Sequence, residues 1–244
     1  MSLDHLTQLR REAAGFADAV AAGAPDAPIA GCPGWTLSDL AKHVGTVHRW
    51  ARAAVLTADV PKIDPEHDPM PDGAEPMAQW LRDGAGRLID TLSTTDVAAP
   101  TWHPFPVEPK VAGLWRRRQC QETFVHRIDA ELAIGLDPVI DRDLAEDGVD
   151  EYWTVMLPRM LSREGRATPS SVLAVRLTDG PGEWLVDGSS GTVMLGGTAA
   201  PAATISGTSA AMLLRLWGRP VADGAIAVSG DSAVAADWLA LGGA

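Results

Sequence analysis

The stretch Pro33-Gly34-Trp35-Thr36-Leu37-Ser38-Asp39-Leu40-Ala41-Lys42-His43 holds a helix start and a chemically versatile side chain together. Pro33 and Gly34 supply a turn. Thr36 followed three residues later by Asp39 resembles an N-terminal cap, so a helix begins here and runs to about residue 58. His43 then lies two turns inside it. A second stretch, Gln121-Glu122-Thr123-Phe124-Val125-His126, complements the first. Glu122 and His126 are four apart, which puts both on one face of a helix. A histidine from the first helix could join them in a metal site, and three nitrogen or oxygen donors leave positions open for chemistry. The spacing alone is also that of an ordinary helix face, and His43 alone reads equally as a buried histidine satisfied by a neighbour.

Outward from these stretches, the first half of the chain is helical. Leu3, Leu6, Leu9, Ala13, Phe16 and Val20 recur at threes and fours, which predicts an amphipathic helix over about 2–22, ended by Gly23 and Pro25. A third helix is expected over about 75–93, with Met77, Trp80, Leu81, Leu88 and Leu92 on its apolar side, and a fourth from Val111 through Ile134. Between them, Val60–Pro76 and Ala98–Pro109 have no period and read as loops that shape a pocket. Four such helices make an antiparallel bundle, a scaffold that builds metal sites from inward side chains on facing helices.

Near residue 140 the character of the chain changes, from helical periods to short β-branched segments between Gly and Pro. After a helix through Tyr152, Val155, Met156 and Met160, strands are expected at Ser171–Leu177, Glu183–Asp187, Thr192–Leu195 and Ala203–Gly207. Thr208 or Ser209 can cap a helix ending near Trp217, and Asp231 a last one through Leu241. The fold class is therefore α+β in two domains, 1–140 a four-helix bundle and 150–244 a small α+β domain. No P-loop, dinucleotide fingerprint or internal repeat is present.

Composition narrows the function classes. A formal net charge of −12 argues against nucleic acid or an anionic membrane as partner. No apolar run has the length to span a bilayer. Only two cysteines, Cys32 and Cys120, and no basic-then-apolar leader fit a cytoplasmic protein.

The segments PGWTLSDLAKHVGTVHRW, QETFVHRIDAELA and ATISGTSAAMLLRLWGRP, the last followed by VSGD, together resemble the mycothiol-dependent maleylpyruvate isomerase family over nearly the whole chain. The resemblance implies a DinB-type metal-binding bundle joined to a domain similar to sterol-carrier proteins. It implies metal ligands at His43, Glu122 and His126, with zinc the usual metal, and mycothiol as the low-molecular-weight thiol cosubstrate. It also implies an active arginine from the C-terminal domain, for which Arg219 is the first choice and Arg176 the competitor. The partner would be a small electrophile such as a dicarboxylate, whose charge suits the planar fork of an arginine. A thiol at the open position of a divalent metal loses its proton readily. The outcome is then either cis–trans isomerisation of a maleylpyruvate-type acid or transfer of the thiol to an electrophile. A non-catalytic metal-binding or regulatory module with an apolar ligand in its C-terminal domain is the second reading. Metal-assisted hydrolysis is a third, for which the sequence offers no general base.

Other residues read more plainly. His48 lies roughly 140° around the helix from His43, too far to share a metal, and is a pocket or core residue. Asp129 could orient a ligand, or else pair with Arg127. Arg116, Arg117 and Arg118 read as a solvated helix face. Most of the nine tryptophans read as core or interface anchors, with Trp102 and His103 as pocket-lining candidates. Both cysteines read as ordinary buried thiols.

Overall fold

The computed structural model describes residues 3–62 and 67–242. Part of the Val60–Pro76 stretch, residues 63–66, lies outside them. The chain divides into two units, 1–103 with 108–139, and 104–107 with 140–244.

The first unit is a bundle of α1 (His5–Ala22), α2 (Leu37–Thr57), α3 (Ala74–Thr94) and α4 (Ala112–Ala133). Each start has a local cause. Asp4 accepts hydrogen bonds from the amides of Leu6 and Thr7. Thr36 forms the expected reciprocal cap, its Oγ1 accepting from Asp39 N at 3.2 Å while Asp39 Oδ2 accepts from Thr36 N at 2.9 Å. Before it, the Pro28–Thr36 bridge and a positive φ of 86° at Gly34 turn the chain into α2. Helices α1 and α2 each pack against both α3 and α4, so the pairs α1/α2 and α3/α4 sit diagonally. Phe16, Leu37, Leu40, Val44 and Met77 fill one core. At Gly45 a Cβ would come within 1.9 Å of the Trp80 ring, so only glycine lets α3 lay that ring on α2. None of the described helices is long and apolar enough to cross a membrane.

Helix α4 is the exception to apolar packing. It buries Arg118, Gln119, Gln121, Thr123, His126, Arg127 and Asp129. The expectation of a solvated arginine run is corrected here. Arg118 is 2% exposed, and Arg116 donates to the carbonyls of Leu92 and Thr95 at the end of α3. Toward α1, the Arg127 guanidinium bonds both Glu12 and Glu131. Toward α2, His48 Nε2 lies 2.9 Å from Thr123 Oγ1, which donates its own proton to Gln119 O at 2.7 Å. Thr123 therefore accepts from His48, whose proton sits on Nε2.

The tryptophan reading holds in the core, where Trp115, Trp153 and Trp238 are fully buried. Trp102 and His103 line neither of the two cavities beside α2. Trp102 stacks edge-on against Trp50 at 5.4 Å, its carbonyl accepts from Trp115 Nε1, and His103 is 1% exposed.

The second unit is α+β. α5 (Arg142–Glu151) begins at the Asp141 cap, earlier than the expected helix, and passes through a π-helical turn at Tyr152–Met156 into α6 (Leu157–Glu164). Pro158 has no N–H to give to the preceding turn, and the wider π spacing absorbs that loss. Strands β1 (Val172–Leu177), β2 (Glu183–Asp187), β3 (Met194–Leu195), β4 (Ala203–Gly207) and β5 (Ile226–Gly230) form one sheet in the order β3-β2-β1-β4-β5. β1 and β4 run parallel, the other neighbours antiparallel. Thr208 and Asp231 cap α7 (Ser209–Leu216) and α8 (Ser232–Leu239), which pack on the sheet, with α5 against α7.

Two stability tests follow. Replacing Arg127 by Leu strands the buried carboxylate of Glu12, leaving it only the half-exposed Arg11. That should cost the bundle about 3 kcal/mol in urea denaturation, and Glu12→Gln added to Arg127→Leu should recover part of it. A loss under about 1 kcal/mol would show the pair is dispensable. Burial pushes His48 down to about 4 from an ordinary 6.5. Its folded value is depressed, so its stabilisation is complete above pH 6.5 and fades as pH falls toward 4, by about 3 kcal/mol in all. Denaturation of His48→Gln across that window should show a flatter pH dependence than the parent chain; superimposable slopes would refute the assignment.

Candidate metal centre

Three side chains predicted as ligands meet between α2 and α4. His43 Nε2 lies 2.8 Å from Glu122 Oε1, and His126 Nε2 lies 3.5 Å from the same oxygen. One donor atom from each of the three falls within 4.8 Å of the other two. Metal bonds of about 2.0–2.2 Å to nitrogen and oxygen place donors roughly this far apart, so the set fits a divalent ion. Two imidazoles and one carboxylate suit zinc, and equally iron or nickel.

The positions follow from the helices. The Thr36 cap fixes where α2 starts and so where His43 emerges. Arg118, Glu122 and His126 form an i, i+4, i+8 stripe on α4. Two of the three donors are held from behind. Arg118 Nη2 donates to Glu122 Oε2 at 3.0 Å, leaving Oε1 to the histidines. His126 Nδ1 donates to Asp129 Oδ2 at 2.9 Å, because an ionised carboxylate can only accept. In the neutral ring that leaves the lone pair on Nε2, facing Glu122, where a metal would take it; in the protonated ring Nε2–H donates to Glu122 instead. Asp129 thus takes the orienting role rather than the pairing with Arg127.

Electrostatics agree with this arrangement. Burial alone would raise the Glu122 carboxyl, but hydrogen bonds from His126 and His43 and the charge of Arg118 outweigh it, holding the group well below the carboxylate range. Burial would lower His126, but the hydrogen bonds with Asp129 and Glu122 prevail and raise it. The centre is a compact cluster with one accessible edge: the side chains of Asp129 and Arg118 are 1% and 3% exposed, that of His43 34%. Beside His43 opens a cavity of about 550 Å³ lined by Gly34, Trp35, Asp39 and Val47 among others. The Trp35 ring stacks at 5.1 Å from His43.

Cys32 departs from the simple buried-thiol reading. It is half-buried, its Sγ is 4.0 Å from Asp129 Oδ2, and it forms with His126 and Asp129 a second group of possible donors. Because His126 Nδ1 is already committed to Asp129, this second group fits a metal less well. Arg219 lies in the other unit, 4% exposed after α7, with Nη1 donating to Trp217 O at 2.7 Å. Arg176 is exposed on β1 and paired with Glu183 at 2.8 Å. Arg118 is the site residue the sequence reading missed. Its position four residues before Glu122 was the available signal.

Residues 6–131 match the family model of the mycothiol maleylpyruvate isomerase N-terminal domain, and residues 143–237 match the MDMPI C-terminal domain. No curated protein sequence matches the chain. Among solved structures, a mycothiol-dependent maleylpyruvate isomerase superposes with a TM-score of 0.58 at 15% identity, over 92% of this chain and 91% of that one. A point mutant of a mycothiol-dependent maleylpyruvate isomerase gives 0.60 at 14% identity over the same shares. Sterol Carrier Protein 2 Like 2 from Aedes aegypti covers 40% of this chain and 96% of its own at 22% identity, but with a TM-score of only 0.28. With most of its length matched by the two domain models, the chain belongs to the mycothiol-dependent maleylpyruvate isomerase family.

Proposed function

We propose that the chain is a mycothiol-dependent metalloenzyme of the cytoplasm that adds the thiol to a small electrophile, either as a cis–trans isomerase of maleylpyruvate-type acids or as an S-transferase. One observation carries the reading: Glu122 Oε1 faces Nε2 of both His43 and His126, with Arg118 and Asp129 holding the carboxylate and one ring from behind. Such support is what a site needs if its donors are to keep one geometry.

His43, Glu122 and His126 hold the metal, zinc being the ion we assign. When bound, it supplies positive charge that favours a thiolate over a thiol at neutral pH. The protein's own residues do the rest. Arg118 keeps Glu122 ionised and turned, so that one oxygen serves the centre. Asp129 keeps the His126 proton on Nδ1. Trp35 walls the cavity beside His43 and shields one side from water. Arg219 is our choice for the substrate's carboxylate, since a guanidinium fork can form two parallel hydrogen bonds with one; Arg176 is the competitor. Cys32 and Cys120 are thiols and not joined as a disulfide, which is compatible with a reducing compartment in which a thiol cosubstrate stays reduced.

Metal analysis of the purified chain should find about one ion per chain. His43→Ala and Glu122→Ala should lose it, and with it turnover of maleylpyruvate or thiol consumption across a panel of electrophiles. Arg118→Met should stay folded but bind the metal about 10–100-fold more weakly. A parent chain that is fully active without metal, or alanine variants that keep the ion, would overturn the ligand assignment. Metal binding without turnover of any electrophile would point instead to a binding module.

A further inference from the structure

Helix α2 presents a second chemical face, toward α3. There a cavity of about 760 Å³ is lined by Lys42, Arg49, Arg52, Lys62 and Arg87, with Asp68 the one carboxylate among its described lining residues. Asp68 is already engaged, accepting from Arg49 Nε at 2.7 Å, Arg87 Nη2 at 2.9 Å and Trp80 Nε1 at 3.2 Å. Among the described residues, no carboxylate lies within ion-pair distance of Lys42, Arg52 or Lys62. The concentration stands out because the chain as a whole carries a formal charge of −12.

The cations are also organised. Arg49 sits over the Trp80 ring at 3.7 Å and donates to the carbonyls of Gly45 and Trp80. A Cβ at position 84 would lie 2.3 Å from Arg49 Nη1, so Gly84 makes the room for that guanidinium. Arg52 Nε is fixed by Thr91 Oγ1 at 3.1 Å. Trp80, Met70 and Ala53 add apolar surface to the same walls. Like charges held this close repel one another, and an anion among them relieves that cost. Arginine forks match carboxylate and phosphate oxygens in pairs, and the volume is that of a small-molecule site.

We propose that the α2–α3 cavity is a binding site for a small organic polyanion, a compact frame bearing two or more carboxylate or phosphate groups. It adjoins the His43 cavity, sharing Lys42 and Thr46 with it, but takes none of the three metal donors. The proposal does not depend on the metal reading.

Isothermal titration of the full chain with tricarballylate and with fructose 1,6-bisphosphate tests it, with fructose as the neutral control. At least one anion should bind, and more weakly as potassium chloride is added. Binding should fall roughly tenfold in Lys42→Gln/Lys62→Gln, whose replaced side chains are exposed, and again in Arg52→Gln, while thermal melts show these variants folded. His43→Ala should bind the anion as the parent does. Preference between the two probes tells a carboxylate site from a phosphate site, and either supports the proposal. It is overturned if neither anion binds below about 1 mM, if folded cavity variants bind as well as the parent, or if His43→Ala alone abolishes binding.

Discussion

A carboxylate buried inside a helical bundle is the constraint around which the first unit is arranged. Taking Glu122 out of water costs several kcal/mol, which only close partners can offset. It has three: Arg118 one turn before it, His126 one turn after it, and His43 from the facing helix. Two of these are fixed by the pitch of α4 itself. The third depends on α2 being in register, and that register is set by the Thr36 cap and the turn at Pro33-Gly34. A slip of one residue in α2 would rotate His43 by about 100° and leave the carboxylate short of a partner. The chemistry of the site and the packing of α2 on α4 are therefore one problem with one solution.

The opposite flank of α4 is built on the same logic. Arg127 reaches Glu12 of α1 and Glu131 of its own helix, so α4 is tied by charge to α1 on one side and to α2 on the other. Helix α3 is held differently. It meets α2 through the Trp80 ring seated on Gly45, a contact of shape, and through neutral acceptors, Trp80 O and Thr91 Oγ1, that take Arg49 and Arg52, with no buried carboxylate between them among the described residues. Apolar surfaces tolerate sliding better than paired charges do, because a displaced methyl group finds another neighbour and a displaced carboxylate does not. The polar helix is the one that carries two of the three donors.

Where a local rule had a local cause, the sequence was a good guide. The caps at Thr36, Thr208 and Asp231 each satisfy amides of the helix they open, and strands such as Glu183–Asp187 and Ala203–Gly207 fall where short segments with β-branched residues lie between Gly and Pro. Edge strand β5 was not anticipated, because Ile226–Gly230 is largely exposed and joins the sheet through its backbone ladder with Ala203–Gly207. Its side chains carry little pattern to read. The Glu122/His126 spacing flagged the candidate centre, yet the same helix hid Arg118. A run of three arginines has the composition of a wet surface, and only burial by neighbouring helices turns the last of the three inward. Burial is decided by the fold as a whole, so it is the part of a site least visible from local pattern.

Period alone lets one helix serve two chemistries. Lys42 and His43 are adjacent in sequence and about 100° apart around α2. His43 therefore points at α4, where burial, Glu122 and His126 suit a cation. Lys42 lies near Thr46, Arg49 and Arg52 at intervals of three and four, on the side toward α3, where cations line the walls. An acidic chain gathers cations at one place only at a cost in mutual repulsion. On this helix the two charge patterns meet only at the rim, where Lys42 and Thr46 line both cavities, while the donors of each face opposite neighbours. Low-dielectric packing sharpens each field locally, so neither set of charges has to be large to select its own kind of ion.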